Sequence, residues 1–155
     1  MAEFHPKTFA FFCNWCTYTG ADLAGTSRML YPADFRVIKV PCTGRIDFEF
    51  IVKAFEQGAD GVWVSGCHIG DCHYNSGNYY AQRRWAIFRQ ELGFLGIDLR
   101  RLKFSWISAA EGRKFAVEAK EFVERITELG PYTEFHSIIP KTHEIEAVTG
   151  GGELI

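Results

Sequence analysis

Gly61-Val62-Trp63-Val64-Ser65, closing on Gly66-Cys67, is a short apolar run set between two longer segments of helical periodicity. Before it, residues 44–59 repeat apolar side chains at helical spacing (Ile46, Phe50 and Ala54, with Ile51 and Phe55 beside them). After it comes a loop through Cys72 and Asn75. Residues 78–95 follow, with Ala81, Trp85, Phe88, Leu92 and Leu95 on one helical face. So short a run, bounded by glycines and flanked by helices, reads as a buried strand.

The same alternation extends outward. Residues 7–13 (Lys-Thr-Phe-Ala-Phe-Phe-Cys), 35–40 (Phe-Arg-Val-Ile-Lys-Val) and 102–107 read as strands. Residues 20–30 and 110–129 read as helices, the first broken by Pro32 and Asp34, the second stopped by Gly130-Pro131. The order β-α-β-α-β-α-β-α predicts a single α/β domain over residues 1–130. Its parallel four-stranded sheet carries helices on both faces, a Rossmann/flavodoxin-like arrangement. Right-handed crossovers put the loops after all strands on one side, where such sheets bind ligands. Residues 131–155 have weak periodicity and end in Gly150-Gly151-Gly152, which predicts an extended C-terminal tail. Its Tyr132, Phe135, Ile138, Ile139 and Ile145 predict that the tail packs on a partner chain.

Composition narrows the function classes. The chain has 155 residues, 47% hydrophobic and 23% charged, which excludes disorder, collagen-like repeats and coiled coil. A net charge of −2 lacks the basic excess of a general nucleic-acid binder. No run approaches the ~20 apolar residues of a membrane span. Met1 to Lys7 shows no basic segment followed by a long apolar one, so the expected location is cytoplasmic, where thiols stay reduced. There is no Gly-rich nucleotide fingerprint, Walker loop or Gly-x-Ser-x-Gly elbow. Asp22, Asp34, Asp47, Asp71 and Glu111 lie near strand ends, but nothing pairs two of them for acid–base work. Asp47 and Glu111 suit helix starts instead.

The informative residues are the five cysteines, an odd count that fits a closed disulfide set poorly. Cys13 and Cys16 follow the first predicted strand, Cys42 the second, and Cys67 and Cys72 the third. Adjacent strands lie ~4.8 Å apart, so three neighbouring strand ends bring all five thiols within reach of one pocket. Four thiolates suit zinc or an iron–sulfur cluster. Cys13-x2-Cys16 and Cys67-x4-Cys72 are two short chelating pairs, matching two ligands per iron of a [2Fe–2S] unit. Cys13-x2-Cys16 alone also suits a thiol–disulfide redox pair, and single cysteines also occur as small apolar filler. His68 and His73 each follow a cysteine and stay open as ligands or as hydrogen-bonding groups. Trp15, Tyr18, Trp63, Tyr74, Tyr79 and Tyr80 gather around the cysteine loops in sequence, as packing or as a shield and docking face. Arg83, Arg84 and Arg89 read as a solvated face or as partner contacts.

These blocks resemble the delta subunit of methyl-viologen-reducing hydrogenase from methanogenic archaea. The resemblance is carried by Phe12-Cys13-Asn14-Trp15-Cys16 with Gly20-Ala21-Asp22, by Cys42-x-Gly44-Arg45-Ile46-Asp47, and by the run from Gly66 to Tyr74. Gly77-Asn78-Tyr79 with Ala81-Gln82-Arg83-Arg84, and Trp106 to Gly112, extend it to about residues 7–130. The resemblance implies an electron-transfer subunit with one [2Fe–2S] cluster on four of Cys13, Cys16, Cys42, Cys67 and Cys72. It implies a relay from a hydrogenase small subunit, or a formate dehydrogenase, to the flavin-containing A subunit of heterodisulfide reductase during methanogenesis. On that reading the chain itself makes and breaks no bonds. The rival reading is a zinc-stabilised interaction module of the same fold.

Overall fold

The computed structural model describes residues 4–135. Four strands, β1 (Thr8–Cys13), β2 (Phe35–Val40), β3 (Gly61–Gly66) and β4 (Leu102–Trp106), form one sheet in the order β2-β1-β3-β4. Every pairing is parallel, with Phe11 opposite both Ile38 and Val64. Helices α1 (Thr17–Thr26), α2 (Phe48–Glu56), α3 (Gly77–Phe94) and α4 (Gly112–Leu129) alternate with the strands. The predicted fold class is the observed one.

The period-two pattern of the strands sorts the core into two layers. Phe11, Val62 and Val64 point to one face, where they pack with Ile51, Ala54 and Phe55 of α2 and Leu92 of α3. Ala10, Phe12 and Trp63 point to the other, against Ala24 of α1 and Phe115, Ala119, Phe122 and Ile126 of α4. Trp63 is fully buried with Phe12 edge-on at 5.0 Å, so it is a core residue and not part of the cysteine surroundings.

The chain steps from β1 outward to β2 through α1, then back across β1 to β3 through α2. With right-handed crossovers that reversal puts α1 on the opposite face from α2 and α3. The loops leaving β1 and β3 therefore diverge, and a crevice opens between their carboxyl ends. At the other end of the sheet, Asp60 accepts the main-chain N–H of Lys7 (2.7 Å) and of Tyr132 (2.8 Å). The buried Arg101 donates to the carbonyls of Asp60, Leu129 and Gly130 and lies 4.6 Å from the Tyr132 ring centre.

Three expectations shift. The helix predicted over residues 44–59 is split into a 3-10 turn, Thr43–Arg45, and α2. Asp47 interrupts it by adopting extended backbone and accepting Phe48 N–H as the N-cap of α2. The first helix starts at Thr17, three residues earlier than predicted, with Cys16 as its N-cap residue. In the tail, Tyr132 and Phe135 are covered by this chain itself, with rings 5.5 and 5.9 Å from Phe55. Ile138, Ile139, Ile145 and the rest of residues 136–155 lie outside the described residues.

Helices α1 and α4 touch through glycine. A Cβ on Gly20 would lie 2.8 Å from the Ser108 carbonyl oxygen, and one on Gly112 3.1 Å from Ala24 N. Gly20→Val should force α1 away from the loop between β4 and α4 and destabilise the fold by about 1–3 kcal/mol in urea unfolding.

Candidate metal centre

The carboxyl ends of β1, β2 and β3 bring all five cysteines into one buried cluster. Cys13 is the last residue of β1, Cys42 lies two residues past β2, and Cys67 directly follows β3. All five are free thiols, each at most 7% exposed. The convergence expected from the sequence is present.

The grouping is not the one that spacing suggests. The sulfurs of Cys13, Cys16 and Cys67 lie within 4.8 Å of one another, while Cys72 Sγ is 3.6 Å from Cys42 Sγ. Cys67 and Cys72, expected to act as a chelating pair, thus fall into different groups. Cys67 directly follows β3, whereas the turns between it and α3 carry Cys72 across to the β2 loop, where Gly77 packs against Cys42 and Gly44. Two thiolates at ~2.3 Å on one tetrahedral metal are ~3.8 Å apart, so the Cys42–Cys72 separation suits a shared metal.

Thiolates in a buried pocket need donors, and the starts of helices supply them. Gly44 N–H, in the 3-10 turn, donates to Cys42 Sγ at 3.4 Å. The main-chain N–H groups of Trp15 and Cys16 act to lower Cys13, and those of Tyr74, Asn78 and Gly77 act to lower Cys72. Thiol donation from Cys16 and then Cys67 pulls Cys13 well below its usual range, and the same contacts push Cys16 and Cys67 upward. Burial pushes Cys42 up. Burial also acts to raise Cys72, but its N–H donors and the Cys42 thiol outweigh it and hold Cys72 down. A metal that takes all three sulfurs must displace their protons.

The histidines left open by the sequence are engaged elsewhere. His68 Nε2 lies 2.6 Å from Glu111 Oε2, which also accepts Ser108 N–H at 2.7 Å. Glu111 stands at the start of α4 as expected, but its carboxylate secures the loop after β4 and makes no capping bond to the helix. His73 stacks on Trp15 at 3.8 Å and 11°, and Trp15 Nε1 donates to the Tyr74 hydroxyl at 3.2 Å. These rings join the first and third cysteine loops. Trp15 and Tyr74 stay about half exposed, and Tyr18, Tyr79 and Tyr80 are also exposed.

Two residues at the start of α3 bear directly on the sulfurs, although the pattern of the helix did not mark them. A Cβ on Gly77 would lie 2.3 Å from Cys42 Sγ and 3.2 Å from Cys72 Sγ. Asn78 is fully buried, and its side-chain amide meets Cys67 and His68. The legible signal was a polar Ser-Gly-Asn sequence immediately ahead of a helix.

A doubly wound α/β domain with a buried, donor-lined set of thiols in its switch-point crevice is a metal-binding protein by its chemistry. The family model for the methyl-viologen-reducing hydrogenase delta subunit matches residues 8–130, and the chain belongs to that family. It is 52% identical to the D-type iron–sulfur subunit of the vhc F420-non-reducing hydrogenase of Methanococcus voltae, covering 86% of this chain and 93% of that protein. It is 50% identical to the D-type iron–sulfur subunit of an F420-non-reducing hydrogenase of Archaeoglobus profundus, over 84% and 95% of the two chains. It is also 46% identical to part of the A subunit of the ferredoxin:CoB-CoM heterodisulfide reductase of Methanosarcina mazei, covering 81% of this chain but 16% of that much longer protein. Among the described residues no helix is long and apolar enough to cross a membrane.

Gly77→Ala should displace the Cys42 sulfur and weaken metal binding about 10–100-fold, read by metal content after competition with a chelator. Ser108 N–H first, and His68 second, hold the Glu111 carboxyl down from its usual 4.5 to about 2. Its stabilising contribution is therefore full above pH 4.5 and is lost as pH falls towards 2. Glu111→Gln should flatten that part of the acid limb when urea unfolding is followed against pH.

Proposed function

We propose that this chain is an electron-transfer subunit that holds one [2Fe–2S] cluster on four of its five cysteines. In this reading it relays electrons, in the cytoplasm, from a hydrogenase to the flavin-containing A subunit of a heterodisulfide reductase during methanogenesis. The observation that carries the reading is the convergence of five buried thiols on one crevice, with two sulfurs 3.6 Å apart. The iron–sulfur wording in the names of two relatives supports iron over zinc. The Methanosarcina mazei protein holds a segment like this chain inside its heterodisulfide reductase sequence, which supports such a reductase as the acceptor. A formate dehydrogenase is the alternative donor.

Cys42 and Cys72 hold one iron, their sulfurs already near the separation that a shared tetrahedral metal requires. Cys67 and one of Cys13 and Cys16 hold the other. Cys67 also receives the Asn78 side-chain amide, 3.7 Å from its sulfur. The spare thiol then belongs to the Cys13-x2-Cys16 pair. Bound there, the cluster supplies storage of one electron, while the chain supplies N–H donors, exclusion of water and a fixed position. The half-exposed rim of Trp15 and Tyr74 offers a docking face beside the site.

The full chain, purified anaerobically, should carry iron and sulfide and absorb visible light that bleaches on reduction. Zinc without visible absorption would sink the cluster and leave the interaction module. In a Cys→Ser series, changes at Cys42, Cys67 and Cys72 should each lose or alter the spectrum, whereas only one of Cys13 and Cys16 should do so. A full, unaltered cluster in both Cys42→Ser and Cys72→Ser would overturn the ligand assignment.

A further inference from the structure

Asn78 is the second residue of α3 and is fully buried, which is costly for a carboxamide unless its polar atoms are used. Its Nδ2 faces three acceptors: the Cys67 carbonyl at 3.2 Å, the His68 carbonyl at 2.6 Å and Cys67 Sγ at 3.7 Å. Its Oδ1 is buried with no hydrogen-bond partner among the described residues. The amide orientation follows from the surroundings, because a flip would aim Oδ1 at two carbonyls and a sulfur. The carbonyl end thus gains nothing, and the donor end serves the metal-site turn and its sulfur.

An N–H donor on a sulfur ligand favours the state with more negative charge. For an iron–sulfur centre that is the reduced state, so such donors raise the reduction potential. Two hydrogens shared among three acceptors let the amide respond to charge on Cys67 while it keeps its hold on the His68 carbonyl. We propose that Asn78 is a positioning residue that sets the electron affinity of the cysteine-bound centre. It does so by donating to Cys67 Sγ and by fixing the turn from Cys67 to His68. This inference rests on the cluster reading given above.

The test compares the full chain with Asn78→Leu, which keeps the approximate volume and removes the donor. Both are reconstituted anaerobically with iron and sulfide, and metal content, thermal stability and midpoint potential are measured. The loaded Asn78→Leu protein should show about a tenfold shift of the redox equilibrium towards the oxidised state, which is 59 mV more negative for one electron. Should Asn78→Leu yield no loaded protein, Asn78→Ser takes its place, since its hydroxyl is too short to reach the sulfur and it adds no bulk. It should show the same direction of shift. An unchanged potential in the loaded variant, whatever its stability or metal content, overturns the inference and leaves the cluster reading standing. A native chain that takes up no iron overturns both.

Discussion

Charge in a confined space is the constraint on which this domain turns. Metal-binding sulfurs must be deprotonated, and each proton lost adds negative charge to a buried pocket. The domain meets that demand with main-chain N–H groups at the starts of α1, α3 and the 3-10 turn after β2, all aimed at sulfurs. Peptide dipoles are fixed by secondary structure and need no reorganisation when charge arrives.

That solution depends on topology. Helices can begin around a common point only where consecutive strands send their connections in opposite directions. Between β1 and β3 the winding reverses, and Cys13, Cys16, Cys67 and Cys72 belong to those two connections. Cys42 arrives from β2, the strand beside β1, and completes the ring from the third side. Trp15 stacked on His73 then joins the two diverging loops over the top.

The architecture was legible because strands and helices alternate with clean period changes. Phe11 and Phe12, or Val62 and Trp63, declare a sheet buried on both sides, and α4 repeats its apolar residues without interruption. The convergence of the cysteines followed from strand ends alone. What spacing could not convey was the pairing of sulfurs. Cys67 and Cys72 are close in sequence, but the direction of the turns between them is decided by contacts remote in the chain. Those include Gly77 against Gly44 and Cys42, where a Cβ on Gly44 would come within 2.9 Å of the Gly77 carbonyl oxygen. Likewise Asp47 ended a helical periodicity that the apolar residues continued, because a cap bond competed successfully with propagation of the helix. The packed positions of Tyr132 and Phe135 were hidden for the same reason: Asp60 and Arg101, far away in sequence, receive that segment.

The two ends of the sheet are held by different kinds of bond. Asp60 and Arg101 tie the amino-terminal end with hydrogen bonds to the main chain, which no oxidant alters. Sulfurs gather the carboxyl end, and a metal held by them would close the loops between the ends of β1, β2 and β3, lowering the entropy of the unfolded chain much as a crosslink does. Oxidative loss of such a metal would therefore act on one end alone. It would lengthen the effective loops above the sheet while the Asp60 and Arg101 bonds held the strands in register, so the core would outlast the rim of Trp15 and Tyr74.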